Sequence, residues 1–334
     1  MLRPGGYLIF MDFALPAWFP WQSSLSERTL DQHASQLSLA PVYRSRRWAA
    51  VDLIWQKVRG RQTMTTERTH DPILWSSIAI ALLVAVTAVA GIYWPATYAR
   101  ETAYSRAGGV GSDIVDLLLV VPVLLISGIK GYRGSVPARL VWLGTQGYLL
   151  YNFVIYAFGV HFNALFLIYG ATLGLCFYAT LFSVPFISLE QIAQAYSPRA
   201  PRRTVAIMFS VLALSTAAFD LREDIPAILA GRVPQSATAL NTPVSFVHVL
   251  DLVFFLPALC ITASLLFRRK AAGYTLAPVL LTLSAIMSIE LASIVAVMGR
   301  AGFGMNFPMI ISFAVLGVGC TILLWFFFSL GKRV

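Results

Sequence analysis

Charged residues are scarce in this sequence. Asp, Glu, Lys and Arg together make up 12% of the 334 residues, about half the share found in an average soluble domain, whereas 58% of the residues are hydrophobic. A chain with so few charges lacks the polar surface of an ordinary cytosolic globule, and that class is excluded.

Cysteine and histidine are also rare. The three cysteines, Cys176, Cys260 and Cys320, lie far apart inside apolar stretches, and only four histidines occur. No HExxH, Gly-x-Ser-x-Gly or Walker motif is present, and four histidines are too few for the multi-histidine boxes of di-iron desaturases. We therefore predict neither a disulfide framework nor a metal site.

Long apolar runs are what the sequence has in excess, and nearly all of them follow Pro72. Eight runs approach or exceed the ~17 to 25 residues that span a bilayer as a helix. They are continuously apolar, whereas the strands of a membrane barrel alternate in segments of about ten residues. The sequence thus predicts an all-α polytopic membrane domain with eight transmembrane helices, at residues 73–94, 114–129, 140–158, 164–186, 205–221, 246–267, 274–298 and 308–330.

Lys and Arg are unevenly divided between the two sides of these runs. Fifteen flank the runs on the side of both chain ends, and five lie in the alternate connections: Arg100, Arg106, Arg222, Arg232 and Arg300. Under the positive-inside rule, this excess places both termini in the cytoplasm. The same distribution accounts for most of the +10 net charge, so we expect no nucleic-acid partner.

Two short segments outside the runs also predict helices. Residues 224–231 begin with an acid and Pro226 and end in Gly231, which favours a short helix on the outer surface. Residues 187–196 are amphipathic and are expected to continue the fourth membrane helix along the cytoplasmic interface.

The first 59 residues follow a different pattern from the rest of the chain. Their apolar runs are short enough for strands, and one segment between them favours a helix. The predicted order is strand, helix, strand, strand, at residues 8–13, 26–37, 39–44 and 49–57. A basic linker at residues 60–71 joins this segment to the membrane domain at residues 72–334.

The strand segments resemble part of a known fold. MLRPGGYLIFMDFALP resembles the fifth strand of class I S-adenosylmethionine-dependent methyltransferases, where a helix ends in Leu-Lys/Arg-Pro-Gly-Gly before that strand. LAPVYRSRR and AAVDLIWQKVRG resemble the closing antiparallel hairpin. The resemblance implies that residues 1–59 are the C-terminal part of a Rossmann-like α/β methyltransferase domain, on the cytoplasmic side.

The parts of that family that hold S-adenosylmethionine are missing. No Gly-rich loop after a first strand and no acidic residue after a second strand precede residue 8. We expect no cofactor, and S-adenosylmethionine only if the chain extends upstream of Met1. Two explanations are open: a remnant fused to a membrane domain, or a true start upstream of Met1.

The membrane domain has a resemblance of its own. YLLYNFVIYAFGVHFNALFLIYGA, VHVLDLVFFLPALC and GYTLAPVLL resemble a family of uncharacterised bacterial multi-pass membrane proteins. The resemblance implies a location in the bacterial cytoplasmic (inner) membrane and a topology, but no activity. The oligomeric state is not indicated.

Polar residues inside the apolar runs are the candidates for function, because ionisable groups are costly in a bilayer. Glu290 is the strongest candidate because it lies far from both ends of its run. The other candidates, expected in the same outer leaflet, are Asp251, His248, Asp116, Asn152 and Tyr156. Tyr148, Asn152 and Tyr156 are four residues apart and share one helix face.

Each of these signals also has a structural interpretation. The Tyr/Asn face could serve hydrogen bonds between helices, and His248 with Asp251 could be a structural pair rather than a metal or proton site. Asp113 and Asp220 lie at the ends of their runs, where a solvated or capping acid is expected. Gly170 and Gly174 are expected to pack against a neighbouring helix.

Two functions follow from these observations. In the first, a multi-pass inner-membrane protein binds or moves a small ligand, an ion or a proton through an outward-facing polar pocket. In the second, the protein is the membrane anchor of an S-adenosylmethionine-dependent methyltransferase. We expect no paired broken helices of the transporter type, although Pro122, Pro257 and Pro278 could kink their helices. The lipid bilayer is a partner in both.

Overall fold

The computed structural model of the chain describes residues 7–13, 39–47, 50–57, 73–184, 187–196 and 200–330. By its internal contacts the chain divides into two compact units, residues 1–69 and residues 70–334.

The first unit contains three strands, which coincide with the strand segments expected from the sequence. They are β1 (Tyr7–Phe13), β2 (Leu39–Arg47) and β3 (Ala50–Lys57), in the order β1-β3-β2. β3 is antiparallel to both neighbours. β1 and β2 are therefore parallel to each other, which requires a crossover connection between them. The helix expected at residues 26–37 lies outside the described residues.

The second unit is built of helices. Seven helices of the described part are long and apolar enough to cross a membrane: α1 (Ile73–Tyr93), α2 (Ala103–Tyr132), α4 (Phe166–Ser183), α6 (Arg202–Leu229), α8 (Phe246–Phe267), α9 (Ala271–Phe303) and α10 (Phe307–Ser329). The remaining ones are α3 (Val136–Gly159), α5 (Leu189–Tyr196) and α7 (Gln235–Leu240). The chain is thus an all-α multi-pass membrane protein over these residues.

α3 corresponds to the third of the eight expected spans, and it lacks the long apolar stretch that the other seven helices have. α3 has 24 residues and a length of ~36 Å, which is long enough to cross a bilayer. Its polar side chains Thr145, Gln146, Tyr148 and Asn152 are buried. Because these groups face other helices, α3 does not need the apolar surface that a lipid-facing helix requires.

Two membrane helices extend well beyond their apolar runs. α2 begins at Ala103 rather than at residue 114, and α6 ends at Leu229 rather than at residue 221. The additional segment of α2, residues 103–113, contains Gly111, where a Cβ would lie 2.6 Å from the Cα of Ile294 on α9. Close packing of backbones therefore stabilises a helical segment that hydropathy alone does not reveal.

The two short helices differ from expectation in how they join their neighbours. The prediction of a separate surface helix at residues 224–231 is wrong, because α6 continues through Pro226 without a break. The interfacial segment is a separate helix, α5, whose residues Ile192, Ala195 and Tyr196 are buried.

Two helix pairs, α2 with α3 and α8 with α9, have the same backbone features. Corresponding residues of the two pairs are 135 positions apart in the sequence. The first helix of each pair has a five-residue π-helical segment, Asp116–Val120 or Asp251–Phe255, followed by a proline, Pro122 or Pro257. A further π-helical segment, Gly299–Phe303 at the end of α9, has no counterpart in α3. Each pair turns through a residue with positive φ: Gly134 at 95° and Arg269 at 54°.

The turns are hydrogen-bonded in the same way. The amide of Ser135 donates to the carbonyl of Lys130 at 3.1 Å, and the amide of Lys270 donates to that of Leu265 at 2.9 Å. Two helix pairs with matching interruptions and matching turns are an internal repeat, which the sequence analysis did not find.

The two pairs contact each other reciprocally. Gly111 of α2 meets Ile294 of α9, and at the corresponding positions Phe246 of α8 meets Gly159 of α3, with Phe246 Cδ2 3.1 Å from where a Gly159 Cβ would lie. Where α3 and α9 cross, Gly144 faces Val279, its own counterpart in the other pair. This exchange of positions is that of a local two-fold arrangement.

Gly144 at this crossing should be intolerant of a side chain. A Cβ there would lie 2.5 Å from the carbonyl oxygen of Val279 and 2.5 Å from Thr282 Cβ, so Gly144→Ala forces the two helices apart. We expect a loss of about 1 to 3 kcal/mol in unfolding free energy, measured in detergent micelles. Gly170→Ala is the matched control, because a Cβ there meets nothing within 4 Å. Equal stability of the two variants would contradict the crossing.

Candidate functional site

Three carboxylic acids are buried side by side in the membrane unit. Asp113 and Asp116 lie on α2, and Glu290 lies on α9. Both aspartates are fully buried, and Glu290 is 7% exposed. Asp113 and Asp116 are within electrostatic range of Glu290. We call these three residues the acid triplet.

Hydroxyl and amide groups satisfy the two aspartates. Asp116 accepts hydrogen bonds from the hydroxyl of Tyr148 at 2.8 Å and from the side-chain amide of Asn152 at 3.0 Å. Asp113 accepts from the hydroxyls of Tyr98 and Tyr156, both at 2.7 Å.

Glu290 joins the triplet from the opposite helix. Its carboxylate accepts a hydrogen bond from the hydroxyl of Ser112 on α2, and the hydroxyl of Tyr148 is also within hydrogen-bonding reach. The regular helix of α9 continues for eight residues beyond Glu290, to Met298, or ~12 Å, which agrees with the depth expected from the run at residues 274–298.

The acid triplet has no cationic partner among the described residues. Every hydrogen-bond donor to its oxygens is a neutral hydroxyl or amide, and no described Lys, Arg or His forms an ion pair with it. Any negative charge on these three buried acids is therefore not balanced by a cationic side chain of the described part.

A second polar group, which we call the histidine group, lies where α6, α8 and α3 meet. Nδ1 of His248 is 2.9 Å from Asp224 Oδ1, and Nε2 is 3.7 Å from Asp220 Oδ1. Asp251 accepts a hydrogen bond from the hydroxyl of Tyr151 at 3.0 Å. The other carboxylate oxygen of Asp220 is buried without a partner among the described residues.

α3 carries donors for both groups. Tyr148, Asn152 and Tyr156 face the acid triplet, whereas Tyr151 faces Asp251 on α8. The repeated helix α9 has apolar Leu283, Ile286 and Met287 at the positions that correspond to Tyr148, Tyr151 and Asn152. The two halves thus share a backbone but differ in chemistry.

The π-helical segments place one acid in each group. Asp116 and Asp251 are the first residues of their segments, and each segment interrupts the regular spacing of a membrane helix. Such segments are frequent at functional sites. α2 and α8 run through these segments as continuous helices, so they are not broken helices of the transporter type. The π-helical turns themselves were not predicted, because a single such turn leaves no strong signal in a sequence.

An apolar cleft lies next to the histidine group. Its volume is about 750 Å³, and residues of α3, α4, α8 and α9 line it. Tyr151 is on its wall. Gly170 and Gly174 also line it, and a Cβ on either would meet nothing within 4 Å. Their expected role in helix packing was wrong.

The structure divides the six candidate residues from the sequence between the two groups. Asp116, Asn152, Tyr156 and Glu290 meet in the acid triplet and its partners, and His248 and Asp251 belong to the histidine group. His248 is hydrogen-bonded to Asp224 and does not pair with Asp251.

Several residues of the two groups escaped the sequence analysis. Asp113 and Asp220 were expected at solvated helix ends, but they are 0% and 2% exposed, because α2 and α6 continue past the apolar runs. Ser112, Tyr98 and Tyr151 gave no signal of their own. The three-residue spacing of Asp113 and Asp116, matched by His248 and Asp251, was the available clue.

No group of three His, Cys, Asp or Glu side chains in the described part has the arrangement of a metal site. Comparison with known proteins gives no relative: no protein-family model, no curated protein and no solved structure matches this chain.

Replacement of Glu290 should separate its shape from its hydrogen bonding. Glu290→Gln keeps an acceptor for the Ser112 hydroxyl, so we expect little change in thermal unfolding. Glu290→Leu leaves that buried hydroxyl unpaired, which should lower the unfolding free energy by ~1 to 3 kcal/mol. Adding Ser112→Ala to Glu290→Leu should recover most of the loss, since both polar partners are then removed. A Leu variant as stable as the parent would contradict the contact.

Proposed function

We propose that this protein is a proton-linked membrane protein that binds or moves a small ligand. The acid triplet takes up and releases the proton, and the ligand enters from the outer side. The observation that carries the proposal is the burial of Asp113, Asp116 and Glu290 together with neutral partners alone among the described residues.

The charge of the triplet is the main argument. An isolated ionised carboxylate is costly in a low-dielectric site, and neighbouring acids add repulsion. The triplet therefore needs positive charge from a proton or a bound cation. Tyrosine hydroxyls can both accept and donate, so Tyr148 and Tyr156 can pass a proton between the carboxylates and the outer end of α3.

The topology proposed for the domain has eight crossings, with α3 as the third. The length of α3 and the burial of its polar side chains support this count. The distribution of Lys and Arg supports cytoplasmic termini and a bacterial inner-membrane location. With that orientation, both polar groups lie in the outer half of the bilayer.

The internal repeat agrees with a transport-related function. Many secondary transporters consist of two related halves, with the substrate site between interrupted helices near the middle of the membrane. Here the π-helical turns of α2 and α8 begin at Asp116 and Asp251, and α3 of the first half lies between these two acids.

Proton movement can be measured in liposomes that contain the purified protein and a pH-sensitive dye. With an imposed membrane potential, we expect faster acidification than in empty liposomes, because the triplet accepts protons inside the bilayer. Glu290→Gln and Asp116→Asn should return the rate to that of empty liposomes. Glu223→Gln is the control, since this acid accepts a backbone hydrogen bond from Ser236 and is not part of the acid triplet. Unchanged flux in the first two variants would contradict the proposal.

The alternative function is that of a membrane anchor for an S-adenosylmethionine-dependent methyltransferase. The sheet order β1-β3-β2 supports it, because parallel β1 and β2 with a connection over residues 14–38 are typical of an α/β fold. The membrane domain, with its resemblance to an uncharacterised bacterial family, would then serve only as the anchor.

The chain itself should not bind S-adenosylmethionine under either function. It contains no Gly-rich loop between a strand and a helix in its first 59 residues, and that loop provides the main contact in the family it resembles. Titration calorimetry on the purified protein should give no heat of binding. Saturable micromolar binding would contradict this expectation and require a different kind of site.

A further inference from the structure

The apolar cleft lies where the two halves meet. On one side α2 contacts α9 backbone to backbone at Gly111. On the other side the ring of Phe246 lies between α8 and α3 at Gly159. The backbones are therefore further apart at Gly159 than at Gly111, and the cleft of about 750 Å³ lies on this side, between α3 and α8.

The cleft opens toward the hydrocarbon of the bilayer. Its rim includes Gly170 of α4 and Phe254 of α8, which is 64% exposed. Exposed residues of membrane-spanning helices contact lipid chains. The walls are apolar apart from the hydroxyls of Tyr151 and Tyr178, so a hydrocarbon chain is the chemistry that fits them.

One end of the cleft meets the histidine group. Tyr151 lines the cleft and donates its hydroxyl hydrogen to Asp251. Leu250 and Phe254, on either side of Asp251 in the sequence, also line the cleft. Asp251 is not on the wall itself, and its carboxylate meets the apolar space through the Tyr151 hydroxyl.

The charge at this end is negative. Asp251, Asp220 and Asp224 are three acids with one histidine between them, and one oxygen of Asp220 is buried without a described partner. No described Lys or Arg forms an ion pair with these acids. An anionic head group would be repelled here, whereas an amine would be attracted.

We propose that the cleft binds an amphiphilic cation, with its hydrocarbon chain between α3, α4 and α8 and its protonated amine at the hydrogen-bonded pair of Tyr151 and Asp251. This assignment names the substrate class of the proposed function and rests on it only for coupling to the proton. The amphiphile enters sideways from the outer leaflet, past Gly170 and Gly174.

Three probes with the same chain test the head group. Dodecylamine, dodecanol and dodecanoate are titrated into the protein in nanodiscs of a zwitterionic lipid, at fixed pH and without a proton gradient, and bound probe is counted by native mass spectrometry. We expect one saturable amine per chain, bound about tenfold tighter than the alcohol, with the carboxylate weakest. Equal binding of the three probes, or no saturable binding, would overturn the proposal.

Two pairs of variants locate the chain and the head group. Gly174→Leu fills the cleft and should abolish binding of both amine and alcohol, whereas Gly319→Leu, on α10 with nothing within 4 Å of its Cβ position, should bind as the parent does. Asp251→Asn should reduce amine binding to the level of the alcohol, and Glu101→Gln, which alters an acid paired with His161 outside both polar groups, should leave it unchanged. Undiminished amine binding by Gly174→Leu or Asp251→Asn would overturn the site.

The outcome separates this site from the proton function. Amine binding that fails while the liposome flux still depends on Glu290 would reject the cleft alone. Saturable amine binding without Glu290-dependent flux would reject the proton coupling and leave the cleft as a binding site.

Discussion

Burial of ionisable acids in a membrane requires hydrogen-bond donors at the same depth, and α3 supplies most of them. Its hydroxyl and amide groups reach Asp113 and Asp116 on one side and Asp251 on the other. An acid left without such donors would carry the full cost of desolvation. The positions of α2 and α8 around α3 follow from this requirement.

The same requirement explains why α3 is less apolar than its neighbours. A helix that donates from two faces cannot also be hydrophobic on all sides, so its mean hydropathy falls below that of the seven apolar helices. Burial among the other helices compensates, because Tyr148, Leu149 and Phe153 are fully enclosed by protein. α3 can therefore carry many polar side chains because it lies among the other helices rather than against lipid.

The sequence was sufficient to predict the apolar helices, the three strands and the shared face of Tyr148, Asn152 and Tyr156. Each of these depends on a local period that can be read in consecutive residues. The extent of α2 could not be predicted, because residues 103–113 are helical through backbone contact with Ile294, which lies far away in the sequence. Asp113 was misplaced for the same reason.

Partners across helices could not be predicted either. Ser112 and Glu290 are 178 residues apart, and nothing near either residue indicates the other. His248 was expected near Asp251, three residues away, but its ring reaches Asp224 on α6. Choices of this kind depend on which helices are adjacent and on the rotation of each helix, and hydropathy specifies neither.

The reciprocal contact between the halves has a consequence for assembly. The contact occurs twice, once between Gly111 and Ile294 and once between Gly159 and Phe246. The glycine is on α2 in the first contact and on α3 in the second, so both glycines belong to the first half. A dimer of two first halves would put Gly111 against Gly159 and leave a void, whereas a dimer of two second halves would put Phe246 against Ile294, where no space exists for both. Each half is thus complementary to the other and not to itself, so two copies of one half could not replace the pair of unlike halves in this chain.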